Sequence, residues 1–101
     1  MFSKTSREFF DDVATTIEDR GIDYGHPYFS HQRIADLWSG YLGFPVTASQ
    51  VAICMALVKV SRLSEKPLHE DSILDLAAYA NIYRMVIAEA KSLEKANEEL
   101  Q

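Results

Sequence analysis

The chain has 101 residues, 48% hydrophobic and 25% charged, with a formal net charge of −5. That size allows one domain, residues 1–101, with an economical core, and that usage is far from the composition of disordered chains. The acidic balance argues against a general nucleic-acid backbone binder. The lone cysteine, Cys54, excludes an intramolecular disulfide, and no apolar run nears the ~18 residues that cross a bilayer.

The first residues lack the basic start and apolar run of a signal peptide, so a cytoplasmic location is expected. Charge is distributed unevenly. Thr5 to Arg20 holds five acids and two bases, giving −3, whereas Thr47 to Lys66 holds three bases and one acid, giving +2. A local anion site is therefore compatible with an acidic chain.

Thr5-x-x-Glu8 has the form of a capping box, and Phe9, Phe10, Val13, Ala14 and Ile17 recur at helical spacing as far as Gly21, a natural left-handed stop. The spacing predicts a first helix there. The next six residues, IDYGHP, read as a stiff loop in which Gly25 allows a positive φ after Tyr24 and Pro27 fixes the exit. Asp23, Tyr24 and His26 are thus candidates for ligand groups, with Tyr24 or Trp38 suited to stacking on a nucleobase. In the competing structural reading Asp23 caps a turn, Tyr24 packs on Trp38 and His26 is solvated.

A second helix is expected through Phe29, Ile34, Leu37, Trp38, Tyr41 and Leu42, with Ser30 as its N-cap and Gly43 as its stop. Phe44-Pro45-Val46 forces an extended break. Thr47-x-x-Gln50 repeats the capping-box form, and Val51 to Leu63 is so apolar that the third helix is expected to be central and most buried, with Cys54 an inert buried thiol. Lys66-Pro67 ends it. A fourth helix should begin near Asp71, capping Ile73 and Leu74, and run unbroken to the C-terminus. From Tyr83 the set Val86, Ala90, Leu93, Asn97 and Leu100 follows a coiled-coil rhythm, so residues 89–101 read as a protruding helix end or an oligomerisation arm.

Lys59, Arg62 and Lys66 share one face of helix three. Being at the edge of an apolar helix, Lys59 and Arg62 need carboxylates or phosphates opposite them. Asp71 and Asp75 on the antiparallel neighbour helix supply the first choice, with Tyr79 one turn further on. Two readings follow: a structural ion-pair network, or a small-molecule site in which Lys59 and Arg62 hold phosphate and the two acids hold a sugar hydroxyl or a divalent ion such as magnesium. Gly-rich phosphate loops, zinc spacings and Ser-His-Asp orders are missing, although His26, His31 and His69 leave an adventitious metal open.

Asp23-Tyr24-Gly25, Ile34, Trp38, Lys59-Val60-Ser61-Arg62-Leu63 and Asp71-Ser72-x-x-Asp75-x-x-x-Tyr79-Ala80, in that order, resemble a family of small phage- and prophage-type domains of unknown function, over roughly residues 16–88. More distantly the chain is similar to nucleotide modification associated domains and to MazG-like all-α nucleotide pyrophosphohydrolases. The resemblance implies an all-α, four-helix bundle-like and MazG-like fold that binds or processes nucleotides, as a homo-oligomer with sites between subunits. MazG-like enzymes hold magnesium with a Glu-x-x-Glu pair and a Glu-x-x-Asp pair. Here helix three has no acid before Glu65, and helix four offers Asp71-x-x-x-Asp75 instead. Binding at Lys59, Arg62, Asp71, Asp75, Tyr79, Asp23, Tyr24 and His26 is therefore expected ahead of catalysis, with Asp71 and Asp75 as the metal candidates. The alternative is a non-catalytic oligomeric interaction protein in which these residues are structural.

Overall fold

The computed structural model describes residues 2–101, which form four helices: α1 (Ser6–Tyr24), α2 (Pro27–Leu42), α3 (Ala48–Glu65) and α4 (Glu70–Leu100). The all-α expectation holds, including the long last helix. Both capping boxes form, Thr5 with Glu8 and Thr47 with Gln50, so the first orphan amides of α1 and α3 are satisfied from nearby in the sequence.

The first helix ends later than expected. Gly21 stays inside α1, and the chain turns only at Gly25, whose φ of +74° lets its N–H reach the Gly21 carbonyl at 2.8 Å. A glycine costs only about 1 kcal/mol inside a helix, so it stops one only where positive φ is also needed. Pro27 supplies that need by keeping His26 out of the α region. Ile22, Asp23 and Tyr24 are consequently helical, and the connection shrinks to Gly25 and His26.

Two other caps are corrected as well. His26, not Ser30, caps α2: its Nδ1 accepts the Tyr28 N–H at 3.1 Å, with Pro27 at the first helical position, where no N–H is needed. His69, not Asp71, caps α4, its Nδ1 accepting from the Ser72 N–H. A histidine nitrogen acts here as the side-chain oxygens of Ser or Asp usually do. Gly43 ends α2 as expected, at φ +79°. Beyond it, Ser39 pins the break between α2 and α3 by accepting the Val46 N–H at 2.8 Å and donating to the Ala35 carbonyl at 2.7 Å.

The central helix is α4, not α3. It packs against all three others, whereas α1 and α3 do not pack on one another. The core centres on Ala48, Ala52, Ile82 and Val86, with Ile17, Tyr28 and Tyr79 packed against it. Ala35 and Ala78 are also fully buried, so small side chains let the helices approach closely. Only one face of α3 joins this core; Ile53, Leu57, Val58 and Val60 are exposed, and so is Cys54. With only two neighbours, a helix that is apolar nearly all round cannot bury its whole circumference. At 31 residues α4 is about 46 Å long and accounts for most of the 54 Å dimension of the molecule. Its last ten residues are exposed throughout.

Candidate functional site

Asp75 is the hub of the expected constellation. Its Oδ2 lies 3.0 Å from Lys59 Nζ across the α3–α4 interface, and its Oδ1 lies 3.7 Å from a terminal nitrogen of Arg20 on α1. Lys59 is largely buried, its side chain 12% exposed, so the acid opposite it offsets a desolvation cost that the lysine would otherwise carry. The antiparallel α3–α4 arrangement therefore brings Lys59 and Asp75 together.

The remaining candidates separate. Arg62 is exposed and forms no ion pair among the described residues. Asp71 is exposed too, and lines a groove of about 390 Å³ with Phe2, Phe9, Asp12 and Leu74, where Lys4 and Asp12 also pair. The Asp12 carboxylate, hydrogen-bonded to the Lys4 ammonium, holds that lysine's pKa above its ordinary value. Asp23 is an exposed helical residue, so it caps no turn. Tyr24, at 75% exposed, is not packed into the core. His26 is half-buried; besides capping α2 it turns Nε2 toward Glu89 Oε2 at 4.0 Å.

No three His, Cys, Asp or Glu side chains come together as a metal site among the described residues. Both oxygens of Asp75 face cations, which leaves that acid poorly suited to bind a third. The donor set does not fit magnesium held by Asp71 and Asp75 within one protomer.

A second cavity, about 240 Å³, opens between α1, α2 and α4. Ile17, Ile34, Tyr79 and Ile82 give it an apolar and aromatic wall, and Arg20 and Tyr24 belong to it from α1. His31 also lines it. Its Nδ1 lies 2.8 Å from the Pro27 carbonyl, a contact that needs the proton on Nδ1. Nε2 is then a bare acceptor, and it is buried without a hydrogen-bond partner. Burial pulls the His31 pKa below the usual imidazole value, although the bond to Pro27 opposes this, so the ring is neutral near pH 7. Its plane meets that of Tyr79 at 62°, with ring centroids 6.4 Å apart.

The cavity thus unites two expected residues, Tyr24 and Tyr79, with two that sequence reasoning had not placed in the ligand site, Arg20 and His31. Arg20 carried a usable signal, standing four residues before Tyr24 and hence on its face of α1. Nothing comparable marked His31, whose importance depends on the packing of α2 against α4.

Residues 8–87 match the family described as Domain of unknown function (DUF6378). The chain belongs to this family. Two relatives are phage proteins: the Gene 55 protein of Mycobacterium phage L5 is 38% identical over 76 residues, covering 69% of this chain and 49% of the relative. The Gene 55 protein of Mycobacterium phage D29 is 37% identical over 71 residues, covering 70% and 47%. The chain therefore spans about half the length of the curated relatives it matches. No solved structure matches. The family's stretch, residues 8–87, contains every residue of the Arg20–Asp75–Lys59 network and of the adjoining cavity. It also agrees with the resemblance to phage-type domains of unknown function. The relation to MazG-like enzymes has no counterpart among these matches.

Proposed function

We propose that the chain binds a small phosphorylated heteroaromatic molecule, of which a nucleotide is the natural example, with the ring in the α1–α2–α4 cavity and the anionic group at Arg20. The observation that carries this reading is the cavity wall, in which His31, whose Nε2 is buried without a partner, stands beside Arg20, Tyr24 and Tyr79. A buried acceptor left unpaired costs about 1–3 kcal/mol. An N–H from a nucleobase edge that reaches it would relieve that cost. Tyr79 and the isoleucines supply the apolar surface for a planar ring, and Tyr24 provides a second aromatic face at the mouth.

Size narrows the ligand. About 240 Å³ is below the roughly 300 Å³ at which small-molecule pockets usually begin, so the cavity takes a ring while charged groups stay outside. There the guanidinium of Arg20 is held loosely by Asp75 at 3.7 Å and is free to form a bidentate pair with phosphate. Lys59 is reassigned from phosphate to structure, and Arg62 is left as an exposed secondary contact. The proposal is limited to binding. The distant MazG-like resemblance enters here as support for nucleotides as the ligand class.

The rival reading is a non-catalytic interaction protein in which the Arg20–Asp75–Lys59 network only joins helices; the withdrawal of Lys59 from solvent favours it. A thermal-shift screen of nucleosides and nucleoside monophosphates, with and without magnesium, separates the two. A ligand at 100 times its Kd stabilises by about 2.7 kcal/mol, and His31→Leu should abolish that shift while keeping the fold. If no nucleoside or nucleotide raises the melting temperature at millimolar concentration, the binding reading is wrong.

A further inference from the structure

His26 supplies the side chain of the two-residue connection between α1 and α2, and both of its ring nitrogens are engaged. Nδ1 accepts the Tyr28 N–H at 3.1 Å, which caps α2, and Nε2 lies 4.0 Å from Glu89 Oε2 on α4. A ring nitrogen that accepts carries no proton, so the capping imidazole is neutral with its hydrogen on Nε2. Pro27 has no N–H, and the Phe29 N–H goes to the His26 carbonyl at 3.2 Å. The Tyr28 amide is therefore the one donor of this first turn that depends on the imidazole.

A second proton changes the two contacts in opposite senses. Nδ1 becomes a donor facing a donor, and the ring becomes a cation at a helix N-terminus, where the macrodipole disfavours it. On its other side the ring gains a full charge toward Glu89, a carboxylate about one third exposed and in no other ion pair among the described residues. The elements around the connection hold no competing partner: on α1, Arg20 is turned to Asp75 and Asp23 is exposed, and on α2, His31 bonds the Pro27 carbonyl. His69 provides the contrast. It caps α4 through Nδ1 in the same way, but its ring rests against Ser72 Oγ at 2.6 Å, and no carboxylate among the described residues comes within ion-pair distance of it.

We propose that His26 is a proton-operated latch: neutral, it caps α2, and protonated, it leaves the Tyr28 amide and is held by Glu89 of α4. The latch acts on the α1–α2–α4 cavity, because Gly25 and Pro27, the residues on either side of His26, both belong to the cavity wall. An imidazole changes charge between pH 5 and 8, so the latch answers mild acidification. It works on the wall itself, whether or not the cavity takes a nucleotide.

NMR of the full chain between pH 8 and pH 5 tests this. Imidazole nitrogen shifts should show the His26 proton on Nε2 at the upper end and on both nitrogens at the lower. The Tyr28 amide should follow the same titration. Its protection against hydrogen exchange, corrected for the pH dependence of the exchange chemistry, should fall about 2–30-fold, which is the ~0.5–2 kcal/mol of a lost N-cap converted. Methyl signals of Ile17, Ile34 or Ile82 in the cavity wall should move with the same midpoint. His26→Asn, which caps without titrating, should hold the Tyr28 amide constant, and Glu89→Gln should move the His26 midpoint down by about 0.2–0.7 pH units, the size of a partly exposed ion pair. A proton on Nδ1 of neutral His26 overturns the proposal. So does a Tyr28 amide or a cavity wall that ignores the His26 titration, an equal Tyr28 response in His26→Asn, or a midpoint unchanged by Glu89→Gln. Should His26→Asn not fold, the wild-type shifts and Glu89→Gln decide.

Discussion

Lys59 and Asp75 meet across the α3–α4 interface at 3.0 Å, with both side chains largely withdrawn from water. Removing Asp75 strands Lys59, and removing Lys59 leaves Asp75 only the 3.7 Å contact to Arg20. Lys59→Met should lower stability by about 1–3 kcal/mol, or ~4–8 °C of melting temperature per kcal/mol for a domain this small. The double change Lys59→Met with Asp75→Leu should recover much of that loss, because replacing both ends with apolar groups removes the unmatched charge. Thermal melts of the four proteins at one concentration give the coupling. An additive pair of losses would mean that the contact contributes nothing.

Gly25 and Gly21 should respond to alanine with opposite signs. Gly25 sits at φ +74°, ψ −161°, a region essentially closed to side chains, so Gly25→Ala should cost about 1–3 kcal/mol. Gly21 is within α1, and a Cβ there meets nothing within 4 Å; Gly21→Ala should therefore gain about 0.5–1 kcal/mol. Urea unfolding midpoints of the two variants check both signs. Were the order reversed, the first helix would be ending at Gly21.

His31 makes stability depend on pH. Its folded pKa lies below the ordinary value because burial disfavours the imidazolium, so the unfolded chain takes up this proton first as pH falls. Stability from this group is thus fully present above about pH 6.5 and declines as pH drops toward the lower folded value. A melting-temperature series from pH 8 to pH 5, wild type minus His31→Gln, isolates the effect, since His26 and His69 are common to both. A flat difference curve contradicts the buried placement of His31.

Thr47 holds the entry of α3, its hydroxyl accepting the Gln50 N–H at 3.2 Å while Gln50 bonds back to the Thr47 N–H at 2.9 Å. Thr47→Ala should cost about 1 kcal/mol, and Thr47→Ser much less. Chemical denaturation of both variants is sufficient. Equal losses in the two would show that the hydroxyl is not the cap.

The helices were legible because their signals are local: two capping boxes, Gly43 and Pro67 mark boundaries that need no tertiary knowledge. Gly21 misled for the same reason, since a glycine stops a helix only if the chain beyond it must turn, and that requirement came from Pro27, six residues later. The swap of central helix had another cause. Hydropathy reports how much of α3 is apolar, not how many neighbours are present to cover it, and α3 has two. Lys59 opposite Asp75 was readable from antiparallel pairing. Arg20 reaching the same carboxylate was not, because it comes from a helix remote in sequence whose position depends on the whole packing.

That carboxylate has one more implication. No Cα atom of α1 comes within 8 Å of one in α3, and Asp75 is the acid that both address, through Arg20 and Lys59. Whatever shifts Arg20 changes the balance of charge around the carboxylate that also faces Lys59. In this small protein, a single side chain of α4 ties together two helices whose backbones do not approach one another.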